Sequence, residues 1–106
     1  METTFLHALS IYCYIGASFL APHEIGSRHN IGVGKLMWGS DYPHMEGTWP
    51  NTEHKLRETF HDVEEGEIRN MLGENAIDVF GFDRTLMEKT AARIGRQISA
   101  IKQPVD

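Results

Sequence analysis

Two stretches of this chain are mostly apolar and lack alternating polarity, and they constrain its fold more than any other feature. Residues 12–20 (YCYIGASFL) are rich in aromatic and β-branched side chains and end at Ala21-Pro22, which predicts a strand. Residues 35–40 (KLMWGS) predict a second strand that runs into Asp41. Strands without alternating polarity are typical of parallel sheets covered on both faces, so we expect both strands to be buried. Because a sheet of two strands is not independently stable, other strands must complete it.

Glycine and proline separate the two strands and follow the second. Residues 23–34 contain three glycines and scattered polar groups, which predicts a loop with a short helical turn around residues 24–29. Residues 41–51 (DYPHMEGTWPN) contain two prolines and a glycine. Proline keeps the residue before it out of the helical region, so this segment is expected to be an extended loop.

Helical periodicity begins beyond Asn51. Leu56, Phe60 and Val63 follow an i, i+4, i+7 spacing, which predicts an amphipathic helix that covers an apolar surface. A second helix is expected over residues 64–72, with its inward face formed by Ile68, Met71 and Leu72.

Glycines are expected to end the later helices. Gly73 predicts a left-handed stop, and Asn75 then predicts the cap of a third helix that ends at Gly81. Residues 84–100 predict a final helical stretch, broken at Gly95. The expected buried side chains of these two stretches are Ala76, Val79, Phe80, Leu86, Ile94 and Ile98.

Composition and charge exclude several classes of function. The chain has 106 residues, which is enough for one small domain. Its formal net charge of -5 argues against nucleic acid as a partner, because phosphate binding needs clustered cations. Cys13 is the single cysteine and cannot form an internal disulfide, which favours a reducing, cytoplasmic compartment. The apolar segment 4–21 is interrupted by polar residues and has no basic leader, so we expect no membrane span or signal peptide.

Asp41 is the residue that most directly suggests chemistry. It follows a predicted buried strand and precedes a proline-containing loop. Active sites of parallel α/β proteins lie at the carboxyl ends of the strands, where a carboxylate can bind a metal or accept a proton. Aspartate also caps turns after strands, and position alone leaves both roles open for Asp41.

The segments WGSDYPHMEGTWP and MLGENAIDVFGFD resemble the C-terminal end of the amidohydrolase-related family, metal-dependent hydrolases that include aminocarboxymuconate-semialdehyde decarboxylases. The resemblance implies a TIM-type barrel whose eighth strand ends in Asp41, as a catalytic proton acceptor and a ligand of a divalent metal, zinc being the expected ion. It also places His44 at the mouth of the active site as a substrate-binding residue. A solvated surface position is the alternative for His44.

The chain departs from the family pattern in its metal ligands and its length. The family takes other ligands from an HxH pair on its first strand and from histidines on middle strands, and this chain contains no HxH. The metal is therefore expected only if the remaining ligands are supplied elsewhere. A TIM barrel needs about 250 residues.

We therefore interpret residues 1–106 as one partial α/β domain: the last two parallel strands and the active-site loop over residues 12–50, and closing helices over residues 51–106. A second copy or a companion barrel segment would complete the sheet. The expected function is that of a fragment of a metal-dependent hydrolase or decarboxylase acting on a small carboxylic substrate, inactive as an isolated chain. The alternatives are a non-catalytic oligomeric remnant and a small helical interaction module.

Overall fold

The computed structural model describes residues 13–18 and 20–105. Two short strands come first and helices follow. The strands are β1 (Ile15–Ser18) and β2 (Leu36–Gly39), and a 3₁₀ helix (Pro22–Ser27) and α1 (Arg28–Ile31) connect them. The remaining helices are α2 (Thr52–Phe60), α3 (Glu65–Arg69), a π-helical turn (Asn70–Glu74), α4 (Asn75–Phe80), α5 (Arg84–Ile94) and α6 (Ile98–Ile101).

The two strands pair in parallel, as the sequence predicts. Ile15 lies opposite Leu36, and Ser18 lies opposite Gly39. Residues 12 and 19 of the predicted first strand lie outside the described residues, as do residues 4–12 of the apolar N-terminal segment. Because Ile15–Ser18 is a strand, this part of the chain does not fit an all-helical module. No helix within the described part of the chain is long and apolar enough to cross a membrane.

Full burial of the strands is wrong, because helices cover only one face of the sheet. Ile15, Ala17, Leu36 and Trp38 belong to the core or pack against it. The alternate positions face the other way, since successive side chains of a strand point to opposite faces. Of these alternate positions, Gly16 and Ser18 are exposed, and Met37 and Gly39 are half-buried.

The core lies between this face of the sheet and the helices. The predicted face of α2 is confirmed, because Leu56 and Phe60 are buried and Val63 follows them into the core. Ile68 and Met71 are buried as predicted, whereas Leu72 is half-buried. Each fully buried side chain of this size contributes about 1.5–3 kcal/mol to folding. The cluster contains Leu36, Leu56, Phe60, Val63, Ile68, Met71 and Ile101.

The helix boundaries differ from the sequence prediction at Gly73 and Asn75. Gly73 does not end a helix but lies within the π-helical turn that joins α3 to α4. The Asn75 side chain does not cap α4, because it hydrogen-bonds elsewhere in the fold. Gly81 does end α4 in the left-handed region, with φ 65°, and Gly95 ends α5. The connection between the strands is more helical than predicted, since residues 22–31 form two short helices.

Several predicted buried side chains of α4 and α5 are in contact with water. The exposed fractions are 63% for Phe80, 54% for Leu86 and 71% for Ile94, and Val79 is also exposed. Helical periodicity places apolar residues on one face but does not supply a layer to cover it. The described residues provide no such layer here.

Candidate functional site

Asp41 follows β2 after one intervening residue, at the carboxyl end of the sheet. It has a φ of 59° and is the one non-glycine residue with positive φ in the described part of the chain. Aspartate tolerates the left-handed region better than most residues, so the strain is small. Asp41 lies beyond the strand and its backbone is not extended, so strand alternation does not assign its side chain to either face of the sheet. Asp41 is exposed and does not belong to the buried core.

The loop after Asp41 folds back onto the end of β2. The Asp41 carbonyl accepts a hydrogen bond from His44 N at 2.8 Å, and the Ser40 carbonyl accepts one from Thr48 N at 3.0 Å. Gly47 makes this fold possible, because a Cβ there would lie 2.8 Å from the Ser40 oxygen and 2.9 Å from the Asp41 oxygen. Sequence reasoning missed Gly47, and the glycine within MEGTWP was the signal available.

Thr48 connects this loop to α2. The Thr48 side chain is buried, and its hydroxyl lies 3.0 Å from the hydroxyl of Thr52. The Thr48 carbonyl accepts a hydrogen bond from Asn51 N at 2.7 Å. The segment predicted to be extended is instead a series of turns attached to the helical layer.

His44 is the only histidine that the described structure brings near Asp41. Its Nδ1 lies 3.4 Å from Asp41 Oδ2, and the same Nδ1 is 3.3 Å from the backbone N–H of Glu46, which donates to it. The same Nδ1 cannot make both contacts in one protonation state. To accept from Glu46 N–H it must carry no proton, which describes a neutral imidazole, whereas an ion pair with Asp41 requires the protonated imidazole. The side chains of His44 and Asp41 are 60% and 40% exposed, so solvent screens their attraction.

Three other described histidines have partners away from Asp41, and His23 lies exposed in the 3₁₀ helix. His54 Nε2 lies 2.8 Å from a Glu58 oxygen on the same helix. His61 Nδ1 is 3.0 Å from the Arg57 carbonyl, and His29 pairs with Glu67 at 3.5 Å. His7 lies outside the described residues.

These residues do not by themselves fit a zinc ion. Among residues 13–18 and 20–105, no group of three or more His, Cys, Asp or Glu side chains converges as metal ligands do. A zinc site needs three or four protein ligands. Asp41 and His44 offer two at most.

Asn75 is a second residue whose role the sequence did not reveal. Its side chain is 4% exposed, and its amide nitrogen donates to the carbonyls of Val33 and Leu36, both at 2.7 Å. These bonds join the start of α4 to the start of β2, five residues before Asp41. Asn75 therefore holds in place the strand that precedes Asp41.

A small cavity lies on the helical side of the sheet. It has a volume of about 220 Å³ and lies between Trp38, the residues after β1 and the Lys55–Thr59 part of α2. Neither Asp41 nor His44 lines it. The loop that carries both residues does line it, through Glu46, Gly47 and Thr48, so the cavity adjoins the candidate site.

Two parallel strands with helices on one face, and a carboxylate after the second strand, define an α/β protein with a candidate site at the carboxyl edge of its sheet. A sequence model of the amidohydrolase family matches residues 13–82, which are 70 of the 106 residues. The chain belongs to the amidohydrolase family. The match includes both strands, the Asp41 loop and α4, and it confirms the resemblance at the level of the family. No curated protein and no solved structure matches the chain.

Proposed function

We propose that this chain contributes the active-site aspartate of an amidohydrolase-type enzyme, with Asp41 as the proton acceptor. The position of Asp41 carries the proposal: it lies at the carboxyl end of a parallel strand and is exposed. At that position its carboxylate is accessible and can accept a proton from an attacking water. The reaction would be hydrolysis of a small carboxylic substrate, or its decarboxylation as in the aminocarboxymuconate-semialdehyde decarboxylases.

His44 is the proposed substrate contact. Its imidazole is more than half exposed and lies beside Asp41 at the open edge of the sheet. In its neutral form Nδ1 accepts from Glu46, which leaves Nε2–H free to donate to a substrate carboxylate. The loop that carries both residues is held by Gly47 and Thr48, so their spacing is fixed before a substrate arrives.

The rest of the active site would come from outside the residues described. Members of this family usually use divalent metal ions, and zinc would suit Asp41 as one oxygen ligand. Because the described residues do not converge on a third ligand, the remaining ligands would be supplied by further strands. The free edges of the two-stranded sheet favour such pairing, either with a companion barrel segment or with a second copy. In this proposal residues 12–50 form strands and loop of a TIM-type barrel, and residues 51–106 cover it from outside.

The role of Asp41 is tested by metal binding and turnover with matched variants. We expect the isolated chain to bind zinc only weakly in calorimetric titration, to lose even that binding in Asp41→Asn, and to retain it in Asp62→Asn, an exposed control. Any assembly of this chain that hydrolyses or decarboxylates a substrate should lose the activity in Asp41→Asn. An active assembly in which Asp41→Asn turns over normally would refute the proposal.

The second candidate is a non-catalytic remnant that persists as an oligomer. The observation that favours it is the incomplete ligand set around Asp41. In that case Asp41→Asn should change neither zinc binding nor assembly. Light scattering after size exclusion, with metal analysis of the same peak, separates this candidate from the enzyme.

A further inference from the structure

An apolar surface on the helical side of the molecule is exposed to water. It consists of Phe80 at the end of α4, Phe82 in the following turn and Leu86 in α5, which we call the aromatic surface. These side chains are 63%, 48% and 54% exposed. The two phenyl rings stack with their centroids 5.5 Å apart. Adjacent exposed aromatic rings are unusual on a surface that faces only water and mark an interaction site.

The helix that continues this surface has an inner and an outer side. On the inner side, Met87 and Ala91 line a cavity of about 240 Å³ against α3, α4 and α6. On the outer side, Leu86 and Thr90 line an open depression of about 520 Å³. Helix α5 has no buried residue. Its outer side therefore continues the aromatic surface along the helix.

The charges on this side are arranged in a way that suits a second copy of the chain. Asp83 lies at the beginning of α5, Glu88 and Lys89 lie at its middle, and Arg93 lies near its end. Arg84 also lies at the beginning, but Glu74 binds its guanidinium at 2.6 and 3.0 Å. The net result is an acidic beginning and a basic end.

We propose that a second copy of this chain docks on the aromatic surface, with the two α5 helices antiparallel across a two-fold axis. A two-fold axis brings the same patch of both copies together, so each contact occurs twice. With the axis near the middle of α5, Asp83 of one copy lies beside Arg93 of the other, and Phe82 lies beside Ile94. Both attractive pairs form at once, and the apolar side chains leave water.

This surface is separate from the candidate active site. Phe80 and Phe82 lie at the very end of the segment that matches the amidohydrolase family, and Leu86 with the rest of α5 lies outside it. Asp41 lies instead on the loop after β2. The proposal therefore does not rest on the role of Asp41, and either can fail without the other.

The first experiment measures mass by sedimentation equilibrium across the micromolar range. We expect the wild-type chain to be a dimer in equilibrium with monomer. Leu86→Lys should raise the dissociation constant at least about tenfold, because it buries an ammonium group beside Lys89 and Arg93 of the other copy. Met45→Lys is the matched control, since Met45 is 99% exposed on the Asp41 loop, and it should leave the dissociation constant unchanged. A wild-type chain that stays monomeric, or a dimer unaffected by Leu86→Lys, would overturn the proposal.

A charge exchange tests the antiparallel arrangement itself. Arg93→Asp and Asp83→Arg should each weaken self-association, because each places like charges together twice. Mixing the two variants should restore dimers, since every facing pair is then of opposite sign. Asp83 also caps α5 through Leu86 N at 3.1 Å, so circular dichroism must show that the Asp83→Arg chain retains its helices. If both variants are folded but their mixture does not associate more tightly than either alone, the antiparallel dimer is wrong.

Discussion

Replacing Asn75 by alanine should destabilise the fold far more than its sequence position suggests. The Asn75 amide donates two hydrogen bonds of 2.7 Å, to the buried carbonyl of Leu36 and the partly buried carbonyl of Val33. Leaving a buried acceptor unpaired costs about 1–3 kcal/mol, and losing a hydrogen bond whose acceptor water can reach costs about 0.5–1.5 kcal/mol. The expected loss is therefore about 2–4 kcal/mol. A domain of this size has a free energy of unfolding of roughly 5–15 kcal/mol.

The measurement is urea-induced unfolding followed by circular dichroism, with the free energy of unfolding taken from the linear extrapolation. Asn51→Ala is the matched control. Asn51 is exposed and its side chain makes no capping hydrogen bond, so its replacement should change stability by less than about 0.5 kcal/mol. A loss at Asn75 as small as that at Asn51 would refute the view that Asn75 joins α4 to β2.

Asn75→Asp extends the same test to pH. A carboxylate at this position would face two carbonyl oxygens, so its charged form is disfavoured and its pKa should rise in the folded state. When the folded-state pKa of an acid is raised, lower pH favours folding. The deficit of Asn75→Asp relative to wild type should therefore be largest at neutral pH and shrink as the pH falls toward the ordinary pKa of aspartate.

Three further predictions follow from the glycines and from one ion pair. Gly81→Ala should destabilise the chain by about 1 kcal/mol, because residue 81 has φ 65°. Gly73→Ala should stabilise it by about 0.5–1 kcal/mol, because residue 73 is helical and a Cβ there meets open space. Thermal unfolding of the two variants measures both effects. Gly47→Ala should displace the loop that carries Asp41 and His44, since its Cβ would contact three carbonyl oxygens at 2.8–3.0 Å, and histidine NMR signals should shift while the core signals remain. The Arg84 guanidinium holds the pKa of Glu74 below its usual value of 4.5, so this pair stabilises the fold above that pH and stops doing so as the pH falls through the lowered pKa. The stability difference between wild type and Arg84→Ala should be small, because both side chains are more than a third exposed, and unfolding curves at neutral and acidic pH should show it vanish in acid.

The parts of the fold that the sequence predicted depend on local patterns. Mostly apolar stretches without alternating polarity predicted both strands and their parallel pairing. The spacing of Leu56, Phe60 and Val63 predicted the buried face of α2. Asp41 was identified because it directly follows a strand. The role of Asp41 as a ligand or proton acceptor, and that of His44, remain predictions.

The sequence predictions that were wrong concern features that depend on contacts between residues far apart in the chain. Asparagine is a common helix-capping residue, but the hydrogen-bond partners of the Asn75 side chain lie 39 and 42 residues earlier in the sequence. No local pattern reveals such partners. Gly73 was predicted to end a helix, yet the helical backbone continues through it as a π-helical turn, with Met71 and Asn75 buried on either side. Phe80 and Leu86 follow a helical stripe, but periodicity does not show whether another layer exists to cover that stripe.

The two sides of β2 have different surroundings, and this limits which changes in its sequence the fold can accept. Leu36 and Trp38 contribute to the interior, whereas Met37 and Gly39 lie on the opposite side of the strand. Substitutions at Met37 should therefore disturb the core less than substitutions at Leu36 or Trp38. Deleting one residue from β2 would turn its inward-facing side chains outward and its outward-facing side chains inward. Replacements in this strand should therefore be tolerated more readily than changes in its length.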